Sequence, residues 1–229
     1  MSINIKNYTN YIKTSNKKNR EYSLHGFVPV ILKDDFTSEV NIRYVLEQIE
    51  KKIPDKLCVN LDVIYIGDFK EFDDRDINAF FRDGALFISN EQSGEYDLMD
   101  DIVHEIAHSL EAPYSHIIYQ DQKIQEEFFL KRKKLEDILK SKNIDTSVVD
   151  FSYIEYDEDF DMFLYKDIGY ERLFHLIEDL FVSPYAVTSI REYFANGFEQ
   201  FFIKDKEKLK DTCPILFNKI NILYLMEEK

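Results

Sequence analysis

The sequence predicts an α+β domain with a helix-rich C-terminal half. Short runs rich in Val, Ile, Tyr and Phe, the residue types that suit a pleated sheet, end near residue 89. Beyond that point apolar residues recur at helical spacing. No internal repeat and no Gly/Ser-rich linker interrupts the chain, so residues 22–229 read as one domain. Ahead of it, residues 1–21 are polar and rich in Lys and Asn and read as a loosely held arm.

Residues 24–32 are apolar and β-prone, a strand. Residues 37–53 carry Val40, Ile42, Val45, Leu46 and Ile49 at helical spacing, and Pro54 stops the helix. Residues 57–69 alternate and read as a second strand, residues 76–82 as a short helical piece, and residues 84–89 as a short strand. Asp97 is a candidate cap for the next helix, whose apolar side is Leu98, Ile102, Val103, Ile106, Ala107 and Leu110. Residues 114–140 read as one long charged helix. Residues 145–167 are dense in Asp and Glu with interleaved Phe and Tyr, have no period, and read as an irregular lobe. Residues 114–182 together form an inserted helical and acidic segment. Three further helices are expected at 170–181, 189–204 and 213–226.

Composition narrows the function classes. A chain that is 45% apolar, with 15 Tyr and 19 Phe, can fill a core. Its net charge of -15 repels phosphates, which argues against nucleic acid and anionic membrane as partners and favours a peptide or protein substrate of basic character. The plainer reading, that acidity only keeps the protein soluble, carries equal weight. Cys58 and Cys213 are too few for a disulfide framework and are expected as buried free thiols. The first ten residues hold no apolar run of signal-peptide type, and no segment reaches the length of a membrane span. The expectation is a cytoplasmic chain, with signal-independent export compatible with it. Nothing in the sequence specifies an oligomeric state.

One segment names a chemistry: His104-Glu105-Ile106-Ala107-His108. Two histidines four residues apart share one helix face, so their imidazoles can grip one Zn²⁺, with Glu105 close enough to act on a water beside it. A catalytic zinc also needs a third protein ligand and an open position. Two candidates exist. Glu111 lies on the same face of the same helix; Glu192 lies on a later helix, with Asn196 and Glu199 on its face. A third ligand must approach from another direction, so Glu192 has the better geometry, and the pattern is of gluzincin type. Glu111 then becomes a supporting group.

The run Tyr185-Ala-Val-Thr-Ser-Ile-Arg-Glu192-Tyr-Phe-Ala-Asn196 resembles the second motif of the anthrax lethal factor protease domain and of the clostridial Pro-Pro endopeptidases. In that motif a Tyr stands seven residues before a zinc-binding Glu, which is followed by aromatic-Phe-Ala-acidic. Glu111, three residues after His108, is also similar to that family, and so, more weakly, is Cys213-Pro214. The resemblance covers roughly the C-terminal 140 residues. It implies a small sheet with an active-site edge strand packed on helices, zinc held by His104, His108 and Glu192, Glu105 as the base, and Tyr185 facing the metal. Two departures stand out: Asn196 replaces the family's acidic residue, which would weaken ligand orientation or tune the metal, and the segment between the motifs is longer.

The expected activity is zinc-dependent endopeptidase chemistry, one zinc per chain, with the residue 84–89 strand available to pair with an extended substrate. The alternative is a zincin-fold protein of weak or no activity that serves as a binding or structural module. An intact Glu105 favours the enzyme. His175 with Glu178, and the isolated His25 and His116, are read as ordinary side chains rather than a second metal site.

Overall fold

The computed structural model describes residues 22–75 and 77–226; the arm expected at residues 1–21 lies outside the described residues. Two short strands, β1 (Tyr22–Leu24) and β2 (Val28–Leu32), form a hairpin. Helix α1 (Ile42–Lys52) follows, capped by the Asn41 side chain, which accepts from the Tyr44 amide at 3.2 Å. Its buried stripe is Ile42, Val45, Leu46 and Ile49, and the chain turns extended at Ile53, before Pro54. Strand β3 (Val63–Ile66), helix α2 (Lys70–Arg75), and strands β4 (Ala79–Arg82) and β5 (Ala85–Ile88) complete the sheet half.

The sheet order is β1-β2-β3-β5-β4. β2, β3 and β5 run parallel, and the two outer strands are antiparallel, so the sheet is mixed and open. Asp83 and Gly84 both have positive φ, the requirement of the two-residue hairpin turn that joins β4 to β5. A Cβ at Gly84 would also meet Asp62 Oδ2 at 2.4 Å. The two faces of the sheet bury different chemistry. Ile64, Ile66, Leu86 and Ile88 are fully buried in the main core. On the opposite face Tyr65 stacks on Phe87 and Phe87 on Phe80, and α2 covers part of this ladder with Phe72.

The main core lies between the inner sheet face and the helices. Helix α3 (Glu95–Glu111) packs on the sheet through Leu98, Ile102, Val103, Ile106, Ala107 and Leu110, all fully buried, so the expected apolar side is the one it uses. After α4 (Ser115–Ile118), Gln122 at φ 61° breaks the chain direction and α5 (Lys123–Ser141) begins. Next come α6 (Glu158–Met162), a π-helical turn at Phe163–Ile168, α7 (Tyr170–Leu176), and a 3-10 turn at Tyr185–Val187. The chain finishes with α8 (Ile190–Phe202), α9 (Lys206–Thr212) and α10 (Pro214–Leu225). α8 lies against α3, and this pairing assembles the site.

Charged residues of α5 act as interior anchors. Glu127 accepts from the Tyr193 hydroxyl at 2.9 Å and from the amides of Ile215 and Leu216 at 3.0 Å, a negative charge on the N-terminus of α10. Lys131 donates to the carbonyls of Leu180 and Thr212. Arg132, fully buried, donates to the carbonyls of Tyr153 and Thr188 and stacks 3.7 Å from the Phe160 ring centroid. It thereby ties the acidic lobe to the turn that carries Tyr185.

Several expectations are corrected. Residues 24–32 are a hairpin rather than one strand, because His25 and Gly26 take positive φ. Residues 76–82 are not helical: the helix is the preceding α2, and Ala79–Arg82 is an edge strand whose Phe80 and Phe81 serve opposite faces. The residue 84–89 strand is real but interior, paired on both sides, so it cannot accept a substrate strand; β4 is the edge beside it. Asp97 does not cap α3. The cap position is Gly94, and Asp97 accepts from the Ser93 amide at 2.9 Å from inside the first turn. The single helix at 114–140 is two. The lobe at 145–167 is more ordered than expected, seated by buried Phe151, Phe160, Phe163 and Leu164. The helix at 170–181 stops at Leu176. Cys58 and Cys213 are buried free thiols, as expected, and burial pushes them up to about 12 and about 11. Among the described residues no helix is long and apolar enough to cross a membrane.

Candidate metal centre and active site

His104 and His108 project from the α3 face opposite the sheet, toward α8. The apolar stripe of α3 leaves them no other direction, since it is consumed by the core. α8 starts at Ser189, whose side chain accepts from the Glu192 amide at 3.2 Å and so sets the first turn that holds Glu192. The Glu192 carboxylate then reaches both imidazoles: Oε2 is 2.9 Å from His104 Nε2 and Oε1 is 3.5 Å from His108 Nε2. The two Nε2 atoms are 3.2 Å apart. His104, Glu105 and His108 offer ligand atoms all within 4.8 Å of one another, a group that can hold a metal ion. Among the described residues no other group of three or more His, Cys, Asp or Glu is brought together in this way.

The outward nitrogens are equally well defined. His104 Nδ1 lies 2.5 Å from Glu199 Oε1, and His108 Nδ1 lies 2.5 Å from Glu111 Oε1. Carboxylates only accept, so each Nδ1 donates, and in the neutral imidazole that tautomer leaves the Nε2 lone pair turned inward. The two Nε2 atoms and the Glu192 carboxylate face one point, an arrangement that protons on the imidazoles or a bound cation satisfies. The carboxylates are themselves anchored. Glu111 Oε2 accepts from Arg191 Nε at 2.8 Å, and Glu199 Oε2 from Lys204 Nζ at 2.6 Å. Lys204 also reaches Asp100 at 2.8 Å.

The surrounding carboxylates favour charge on both imidazoles. Burial works against charge on His104, but its contacts with Glu192 and Glu199 prevail and hold its pKa well above the ordinary histidine value. For His108 burial is likewise outweighed, by Glu111 and Glu192, and its pKa rises to about 9. Glu192, although buried, is kept ionised by the two histidines, its pKa far below the usual carboxylate range. Burial raises the Glu105 carboxyl against the opposing pull of His108 and His104, and the Phe81 backbone on β4 is close enough to favour its charged form.

Tyr185 sits in the 3-10 turn just ahead of α8, its ring centroid 6.3 Å from that of His104. Its residue exposure of 38% leaves it open to a ligand. Burial of the hydroxyl, with the Glu192 charge, raises the phenol far above its usual pKa, so it keeps its proton as a donor. Asp161, Tyr170 and Tyr156 act on it in the same direction, which sets the acidic lobe on this side of the molecule. The Asn196 carboxamide hydrogen-bonds to neither imidazole. Its Nδ2 donates to the Glu192 carbonyl at 2.9 Å and its Oδ1 accepts from Ser183 Oγ at 2.5 Å.

All of the expected residues thus gather in one place: His104, Glu105, His108 and Glu111 from α3, Glu192 and Asn196 from α8, Tyr185 from the turn between. The carboxylate on α8 that contacts a histidine at its outward nitrogen is Glu199, one turn beyond Asn196. The signal was present, because Glu192 and Glu199 are seven residues apart and so share a helix face. Arg191 and Lys204 carried no such signal. No protein-family model, curated protein or solved structure matches this chain.

Proposed function

We propose that the chain is a zinc-dependent endopeptidase, with zinc held by His104, His108 and Glu192. The observation that carries this reading is the convergence of two Nε2 atoms and a carboxylate, each histidine backed at Nδ1 by its own acceptor. Imidazole and carboxylate donors suit zinc, and a carboxylate on the far nitrogen fixes the tautomer that ligation needs. Glu192 lies 2.9 Å and 3.5 Å from the two Nε2 atoms and comes from a different helix than the histidines. It is therefore assigned to the ion, and Glu105, on the histidine helix itself, to a water.

Zinc, when bound, supplies Lewis acidity toward a water and a peptide carbonyl. Glu105, its pKa raised by burial, takes the proton from that water as it attacks and returns it to the leaving amine. Tyr185 donates its retained proton in a hydrogen bond to the oxyanion as it forms. Strand β4, paired on one side only among the described residues and with Phe81 beside Glu105, is the edge on which an extended peptide can add.

Metal analysis and peptide-library cleavage test this reading together. The expected result is about one zinc per chain, cleavage that stops in Glu105→Gln while zinc is retained, and weak zinc retention in Glu192→Ala. Zinc retained without cleavage of any library peptide would favour a metal-keeping binding module. Zinc lost from Glu111→Ala but kept in Glu192→Ala would reassign the third ligand.

A further inference from the structure

Three side chains on one face of α8, at positions 192, 196 and 199, divide between two tasks. Glu199 reaches His104 Nδ1 at 2.5 Å and is itself gripped by Lys204 at 2.6 Å, which pairs with Asp100 on α3. A continuous chain of charge-assisted contacts therefore runs from α3 through α8 back to an α3 imidazole. Asn196, one turn earlier, has other partners. Its amide donates to the Glu192 carbonyl, and its oxygen accepts from Ser183 Oγ. Ser183 Oγ in turn accepts from the Ala186 amide at 3.1 Å, inside the turn that bears Tyr185. Both ends of the Asn196 carboxamide are in use, one as donor and one as acceptor.

That pairing explains the residue type. A carboxylate at 196 has no proton to give the Glu192 carbonyl and would set oxygen against oxygen at about 3 Å. An amide alone satisfies both neighbours. We infer that Glu199 is the positioning residue that orients His104 for the metal, and that Asn196 positions Tyr185 by fastening the Ser183–Ala186 turn to α8. The loss of acidity at 196 then leaves metal binding intact, because the orienting carboxylate stands one turn further on. The inference rests on the proposed zinc site for Glu199 and is independent of it for Asn196.

Two measurements on the purified chain separate the tasks, neither of which needs turnover. The first is zinc affinity by competition with a chromophoric chelator. Glu199→Gln should bind zinc about 10–100-fold more weakly than wild type, while Asn196→Ala and Asn196→Asp stay close to wild type. The second is amide hydrogen exchange of residues 183–188, which should quicken in both Asn196 variants and stay unchanged in Glu199→Gln. Should Glu199→Gln fail to fold, Glu199→Asp keeps the charge beside Lys204, withdraws it from the imidazole, and should show the same loss. Glu199 variants that bind zinc as wild type does would overturn its role. Asn196 variants that lose zinc as strongly, or that leave exchange at 183–188 unchanged, would overturn the other half. A wild-type chain that binds no zinc would overturn the zinc site and the Glu199 role with it, and the exchange measurement would still decide Asn196.

Discussion

At the scale of single residues the site is a set of opposed ionisations. Burial raises both the Tyr185 phenol and the Glu105 carboxyl above their usual ranges, which suits the donor and base roles proposed for them. Because the Tyr185 phenol contributes most once an oxyanion exists, Tyr185→Phe should lower kcat by about a hundredfold with little change in KM. Steady-state kinetics on any cleaved peptide decides it, and an unchanged kcat would return Tyr185 to a packing role. Asp101 offers a stability measurement at a group that is not itself a proposed ligand. Burial raises its pKa to about 6, against the hydrogen bond from Gln92 at 2.9 Å. A carboxyl with a raised folded pKa stabilises the fold most below its unfolded value of about 3.9 and loses that contribution as pH rises through about 6. Asp101→Asn should therefore melt like wild type near pH 4 and be about 1–2 kcal/mol more stable above pH 7. Equal melting temperatures across that range would remove the charge cost.

At the scale of elements, the α8–α10 contact depends on one missing side chain. A Cβ at Gly197 would stand 2.4 Å from Leu216 Cδ2 and 2.8 Å from its Cγ, and Leu216 is fully buried. Gly197→Ala should cost about 1–3 kcal/mol by overpacking, in spite of alanine's better helix propensity, and denaturant unfolding would reveal it. A stabilised variant would mean that α10 shifts freely. Legibility also varied by element. α1, α3, α8 and α10 were readable because each buries a long apolar stripe, with Asn41 and Ser189 as side-chain caps on α1 and α8. α9 went unread because Leu209 is its only buried residue, which leaves no stripe to detect. β4 was misread because an edge strand with Phe80 on one face and Phe81 on the other shows no alternation.

At the scale of the whole molecule, the charge of -15 and the position of the lobe act together. The lobe rests on buried Phe151, Phe160 and Phe163, turns Glu158 and Asp159 to solvent, and sets Asp161 within electrostatic reach of Tyr185. Peptides rich in Lys and Arg should then show a higher kcat/KM than acidic ones, and the preference should shrink as salt screens charges beyond about 8 Å. Neutralising Asp157, Glu158, Asp159 and Asp161 together should reduce the preference and leave zinc content unchanged. An undiminished preference at low salt would make the lobe a solvated surface and no more.

The sequence by itself determined the helix that bears His104, Glu105 and His108 and the face on which they lie, because a 3.6-residue period and an apolar stripe leave one direction for polar ligands. It also marked Glu192 as a partner that must come from a second helix. What it could not determine was which acidic groups meet which nitrogen. Glu111 and Glu199 were both visible as charges, but the second contact depends on how α8 sits along α3, where Lys204 bridges Asp100 to Glu199. The order of the strands was likewise hidden. β5 follows β4 in the chain yet inserts between it and β3, since pairing is decided by which strand buries Leu86 and Ile88 against the helices rather than by succession. Contacts between residues 95 positions apart, such as His104 with Glu199, are products of packing, and local sequence has no period that encodes them.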